Sequence, residues 1–395
     1  MNILLICASY SPRGSSPAFR STNLAHYLER FGDSVTVLTY SENFQLRLDK
    51  SDESLKGKEV DDVVRINVST STNKNNSWIK KILYKFNIAD FFLPDPHIIY
   101  AKKFIEEAKS IVVQKDIDVI LTFSFPFTMH HIGYKLKKVF GEKVKWCLDY
   151  GDIWFGAPNT EWKRSGFKKV IDFYLEKKYL RKSDFISLTT KASIEYYKKV
   201  FGGDEKYILT PMGHDVINVE HEISVIDELS FLHTGRLYPP MRNPIPFIDL
   251  IKEDKNVNLK LIGYLDESFV DSVGEVNNVF VTDWLSKHEL FKEMHNADVL
   301  ILFGNESDLQ IPGKLYEYFS FRKPIIYIHQ ELSDDPVLQL ISDYNFIFPL
   351  SNLNIRGEYM KVLKEVKKFI SLGKSNYGDE YSWENIANRL RKELK

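Results

Sequence analysis

A chain of 395 residues exceeds what one hydrophobic core usually serves, so two domains of roughly 150–200 residues each are expected. Hydrophobic residues make up 44 %, enough for two cores, yet no apolar run approaches the ~18 residues that a membrane-spanning helix needs. A formal charge of −1 excludes general nucleic-acid binding, which requires a clear basic excess.

The opening "MNILLICASYS" is apolar but has neither a basic leading region nor a cleavage site. It reads as a buried first strand rather than a signal peptide, and a cytoplasmic chain is expected. Cys7 and Cys147 sit inside apolar runs and read as small core residues. Strand 2–8 leads through a Pro/Gly/Ser loop to a helix at 17–31 and a strand at 34–40. Strand 117–124, a helix near 128–140 and strand 144–150 follow, then strand 185–190, a helix at 192–200 and strand 207–211. After a looser acidic stretch at 213–228 the pattern restarts with strands at 230–235, 257–263, 279–284, 299–304, 324–328 and 346–350. A Gly/Ser/Asn linker at 373–378 precedes an amphipathic helix at 382–395. Short apolar runs between amphipathic helices predict parallel sheets covered on both faces. The expected fold class is therefore α/β, with two doubly wound Rossmann-like domains facing across a cleft and a C-terminal crossover helix. The predicted bounds are 1–212 and 213–375 for the two domains, and 376–395 for a helix packing back on the first.

Chemistry is expected where strands give way to helices. In "IPGKLYEYFSFRKPII" (311–326) a Pro-Gly-Lys corner joins one strand to a short helix. Such a corner suits an anion. Gly313 admits a phosphate to the backbone, and the amides of Lys314 and Leu315 are donors. Glu317, read as lying in the helix's first turn, serves either helix energetics or ribose hydroxyls. In "FLHTGRLYPPMRNPIPF" (231–247) the strand ends at Gly235 and is followed by Arg236 and Arg242. Two guanidiniums there suit a diphosphate, although either alone reads as a solvated loop arginine. The loop "SYSPRGSSPAFR" (9–20) resembles a phosphate cradle but lacks both a dinucleotide fingerprint and a P-loop. His130 opens a helix just after a strand, and Asp149 and Asp152 lie at a strand end, where substrate or metal contact is open. No Cys/His cluster at metal-ligand spacing occurs, and no metal is expected.

Taken in order, these motifs resemble the GT-B glycosyltransferases of the GT4 type, which are retaining and use nucleotide sugars. The resemblance spans nearly the whole chain. It rests on "YSPRGSSPAFRSTNLAHYLERFGDSVTVLTY", "HHIG" (130–133), "DYGDIW" (149–154), the Gly235-Arg236 pair with a second basic residue six places on, and "IPGKLYEYFSFRKPII". The family usually has lysine where Arg242 stands. It often carries a further glutamate eight residues before the last one; here that position is Leu309, with Glu306 and Asp308 nearby. The resemblance implies that Arg236 and Arg242 bind the diphosphate and stabilise the leaving group, with the amides at 313–315 assisting. It implies that Glu317 holds the ribose, His130 contacts the transferring sugar, and the loop at Gly14 closes over the phosphates. Gly235 and Asp308 belong to the same donor set, and Arg20, Asp149 and Asp152 to the acceptor side. The donor is expected to be a nucleotide sugar of UDP or GDP type, with no other cofactor. The implied activity is metal-independent hexosyl transfer to a glycan or lipid-linked acceptor in cell-surface polysaccharide biosynthesis. An epimerase or hydrolase on the same scaffold, or a catalytically degenerate partner subunit, stays open. Base contacts around 283–285 carry no readable code.

Two basic amphipathic segments bear on location. In 75–92, Trp78 and its apolar neighbours share a helical face, with Lys80, Lys81 and Lys85 largely off it; 161–183 holds eight Lys/Arg against three acids. Each reads either as an ordinary surface helix or as a contact with the inner face of the cell membrane.

Overall fold

The computed structural model describes residues 1–45, 51–68, 92–156, 166–216, 228–239, 242–273, 277–305, 307–330, 332, 334–372 and 379–395. They divide into two compact units, Met1–Met212 with Trp383–Lys395, and Gly213–Ser382.

The first unit holds a seven-stranded, wholly parallel sheet. Its strands are β1 (Asn2–Ile6), β2 (Ser34–Tyr40), β3 (Asp62–Ile66), β4 (Val119–Phe123), β5 (Lys145–Tyr150), β6 (Phe185–Leu188) and β7 (Tyr207–Leu209), in the order β3-β2-β1-β4-β5-β6-β7. Ile3, Leu4, Leu5 and Ile6 are all buried because helices cover both faces, which is why the strand reads as an unbroken apolar run. Cys7 and Cys147 are buried in the same core. The edge strand β3, "DVVRI", is only half-buried along most of its length, and the sequence reading passes over it. The Trp383–Leu394 helix belongs to this unit. Its buried stripe of Trp383, Ile386, Ala387, Leu390 and Leu394 has helical spacing, and Arg391 Nε bonds Asp33 Oδ2 at 2.6 Å.

The second unit holds a six-stranded parallel sheet of β8 (Leu229–Leu237), β9 (Val257–Leu265), β10 (Val279–Thr282), β11 (Val299–Phe303), β12 (Ile325–His329) and β13 (Ile347–Ser351). Its order is β10-β9-β8-β11-β12-β13. Both sheets therefore reverse direction of growth beside their first strand, between β1 and β4 and between β8 and β11. In doubly wound sheets, ligands bind beyond the carboxyl ends of the strands at such switch points. Among the described residues no helix is long and apolar enough to cross a membrane.

Candidate functional site

The switch point of the second unit gathers most of the expected donor-side residues. Strand β8 carries Gly235 and Arg236 at its carboxyl end, paired in register with Gly263 and Tyr264 of β9. Gly235 (φ +138°) and Gly263 (φ +124°) lie where side chains strain the backbone, and a Cβ on Gly263 would stand 2.3 Å from the Gly235 carbonyl oxygen. The two glycines let the strand ends close together beneath Arg236. A Gly263→Ala chain is expected to lose about 1–3 kcal/mol of second-unit stability. Urea unfolding checks this, and an unchanged midpoint would contradict the close approach.

Arg242 is the most firmly held cation of the group. Its Nε and Nη2 donate to Asn305 Oδ1 at 3.0 and 2.8 Å, and its Nη1 donates to the Arg236 carbonyl at 3.0 Å. Asn305 lies just past β11, so one side-chain amide ties the loop after β8 to the loop after β11. Burial pulls the Arg242 pKa below its ordinary value, while Tyr238, Tyr318 and Tyr327 act the other way. Arg236 is exposed and stands over the Trp284 ring at 5.9 Å. Trp284 itself is 58 % exposed, an unpacked aromatic beside a cation. Behind the loop, Tyr327 Oη donates to Asp335 Oδ2 at 2.7 Å, and a Cβ on Gly304 would meet that hydroxyl at 2.6 Å. Glycine is what lets the loop lie flat there.

The Gly313–Phe319 helix supplies the rest. Glu317 Oε2 accepts from Lys314 Nζ at 2.6 Å. Burial works to raise the Glu317 pKa, but Lys314 and Lys287 outweigh it and hold it below the ordinary value. Two expectations change here. The helix begins at Gly313 after Pro312, so Glu317 is its fifth residue and lies beyond the first turn, where the dipole argument no longer accounts for it. The Leu315 amide donates to the Pro312 carbonyl at 3.0 Å, so Gly313 and Lys314 carry the helix's leading amides. Leu309 is half-buried and Asp308 exposed; Glu306 lies outside the described residues.

In the first unit Arg20 and Asp149 pair with each other, and His130 packs against Tyr150, the residue after Asp149. His130 is buried in the first turn of the Thr128–Phe140 helix, with Nδ1 2.9 Å from Thr122 Oγ1 and the Tyr150 ring at 4.7 Å. Burial pushes its pKa down to about 3, and Nε2 has no partner among the described residues. Asp152 is exposed at the turn after β5. Gly14 lies in a loop held within its own unit, where the Pro12 carbonyl accepts from the Asp52 amide at 2.8 Å and Ser11 Oγ bonds Glu59. Arg20 and Asp149, expected to face an acceptor, are instead buried against each other at 2.6 and 2.7 Å. Ser187 Oγ adds a bond to Asp149 at 2.6 Å, and Arg20 donates to the carbonyls of Thr210 and Pro211 at 2.9 Å each. The pair clamps the end of the first unit onto the sheet. Trp78, Lys80, Lys81 and Lys85 lie outside the described residues.

No protein-family model and no curated protein sequence matches the chain. Solved structures do. Sucrose-phosphate synthase from Thermosynechococcus elongatus superposes with a TM-score of 0.63 at 12 % identity, covering 99 % of this chain and 98 % of that one. The Anabaena protein HepE in complex with UDP gives 0.62 at 13 % identity, covering 100 % and 99 %. UDP-GlcNAc 2-epimerase from Neisseria meningitidis bound to UDP-GlcNAc gives 0.57 at 12 % identity, covering 100 % and 99 %. The fold is GT-B.

In this GT-B chain the sequence reading missed two members of the second unit's switch-point cluster. Asn305 follows a strand in "LFGN", where an asparagine reads as a turn residue. His233 stands inside a buried strand, with no spacing signal to separate it from its apolar neighbours.

Proposed function

We propose that this chain is a metal-independent retaining glycosyltransferase of the GT4 kind, moving a sugar from a UDP- or GDP-sugar to a glycan or lipid-linked acceptor in cell-surface polysaccharide synthesis. The observation that carries the reading is the meeting of Arg236, Arg242 and the Lys314–Glu317 pair at one switch point. The pre-set Arg242 fork offers its remaining N–H donors to a diphosphate, and Arg236 adds a second positive charge. As the bond to the sugar breaks, negative charge grows on the leaving diphosphate, and fixed cations stabilise it without reorganising. Glu317 would exchange its Lys314 contact for ribose hydroxyls, freeing the ammonium for phosphate. Within the first unit, the neutral His130 imidazole is suited to hydrogen bonding with a sugar hydroxyl rather than to acid catalysis.

A second reading, a nucleotide-sugar epimerase or hydrolase, draws support from the likeness to UDP-GlcNAc 2-epimerases. Leu309, standing where the resemblance leads one to expect a carboxylate, favours a third, a degenerate partner subunit. Incubation of the chain with UDP- and GDP-sugars, with and without lipid-linked acceptors, separates them. Acceptor-dependent sugar loss supports transfer. Acceptor-independent loss or isomerisation supports the second reading, and nucleotide binding without sugar loss the third.

Attachment to an anionic membrane surface is part of the proposal. The Gly166–Lys182 helix turns Lys168, Asp172 and Glu176 inward and leaves Phe167, Val170 and Tyr174 exposed, with Phe167 77 % open. Lys178, Arg181 and Lys182 lie exposed on the same side of the helix as that apolar row. An apolar row with basic neighbours suits anionic headgroups. A Phe167→Ser/Tyr174→Ser chain is expected to lose most co-sedimentation with anionic vesicles at low salt, and unchanged sedimentation would contradict this role.

A further inference from the structure

His233 is buried in β8, 2 % exposed, two residues before Gly235. Its ring meets Phe303 edge-on, with centroids 5.0 Å apart. Nδ1 lies 2.9 Å from the Ile301 carbonyl oxygen. A carbonyl can only accept, so Nδ1 carries the hydrogen and Nε2 presents a bare lone pair. That lone pair has no donor among the described residues. Buried polar atoms are rarely left so, and one beside a binding cluster calls for a ligand.

The surroundings say where that ligand lies. Side chains two apart on a strand share a face, and an ideal Cβ on Gly235 would stand 3.7 Å from His233 Nε2, with no other atom of the described residues beyond its chain neighbours within 4 Å. The missing side chain therefore leaves room close to the buried Nε2, at the carboxyl edge of the sheet. Burial first, and then the charges of Arg242 and Lys314, push the His233 pKa down to about 3, so the ring is neutral at physiological pH. A neutral acceptor does not bind phosphate oxygens, which have no hydrogen to give at that pH. Its partner must be a donor. In a nucleotide sugar, the donors nearest the diphosphate are the hydroxyls of the two flanking sugars.

We propose that His233 Nε2 accepts a hydrogen bond from a hydroxyl of the bound nucleotide sugar, on either the ribose or the transferred sugar, and so helps to select the donor. This rests on the nucleotide-sugar reading above. The test pairs imidazole ¹⁵N NMR of the full wild-type chain with calorimetric titration of wild type, His233→Phe and His233→Gln. The probes are UDP, GDP, UDP-glucose, GDP-mannose and inorganic pyrophosphate. The Nε2 resonance is expected to move upfield with the ligand that binds. His233→Phe is expected to weaken that ligand about tenfold, leave pyrophosphate unchanged, and be partly rescued by His233→Gln, whose amide reaches the same place. Weakening already seen with the nucleoside diphosphate assigns the ribose hydroxyl; weakening confined to the nucleotide sugar assigns the transferred sugar. Unchanged affinities in His233→Phe with a still Nε2 resonance, as for a trapped water, overturn this inference alone. Failure of wild type to bind any nucleotide overturns the reading beneath it as well.

Discussion

Arg20→Ala is expected to destabilise the first unit by about 3–5 kcal/mol, because it strands the buried Asp149 carboxylate without its cation. The loss goes beyond one ion pair. Arg20 also satisfies the carbonyls of Thr210 and Pro211, so truncation leaves three acceptor groups short of donors in one buried place. An apolar replacement of both charges, Arg20→Met with Asp149→Leu, is expected to recover only part of the loss. It removes the stranded charge but returns nothing to the two carbonyls. Hydrogen exchange localises the effect: amides of β5 and β7 lose protection in Arg20→Ala, while those of β8–β13 keep theirs. A change below about 1 kcal/mol would mean that the clamp is solvated and contributes little.

Arg242→Ala is expected to weaken nucleoside diphosphate binding by about 2–5 kcal/mol, on the order of thirtyfold to several thousandfold. The size follows from how the side chain is held. Three of its five N–H donors are fixed by Asn305 and the Arg236 carbonyl, so little rotamer freedom remains to be lost on binding. Arg236→Ala should cost less, since that guanidinium is exposed and rests on Trp284 rather than on hydrogen-bond acceptors. Asn305→Ala separates position from charge. It leaves Arg242 in place but unheld, and should fall between the two. Equal losses for all three variants, read by calorimetry, would contradict this ranking.

The sheets were legible in the sequence because parallel strands covered on both faces must be apolar at nearly every position, as in "NILLI" and "VLILF". Strand β3 escaped notice for the opposite reason: an edge strand is half-buried, and "DVVRI" carries charge at both ends of its apolar pair. Arg236 and Arg242 could be placed at a strand end by local spacing alone. Arg20 could not be read correctly, because its partner lies 129 residues away and no local pattern distinguishes a buried arginine from a solvated one. The Glu317 register failed by a turn since the helix start depends on Pro312 and Gly313 rather than on the apolar period. His233 was hidden by burial itself. A polar residue within an apolar strand shows its meaning only when its ring nitrogen, without a partner among the described residues, is seen beside Gly235, which has no side chain to fill the adjoining space.

The most direct measurement is calorimetric titration of UDP, GDP and ADP into the wild-type chain with EDTA present. The account predicts that one of UDP and GDP binds at micromolar concentration, with ADP much weaker, and that EDTA makes no difference. No binding of any of the three at millimolar concentration would contradict a diphosphate site built on Arg236 and Arg242.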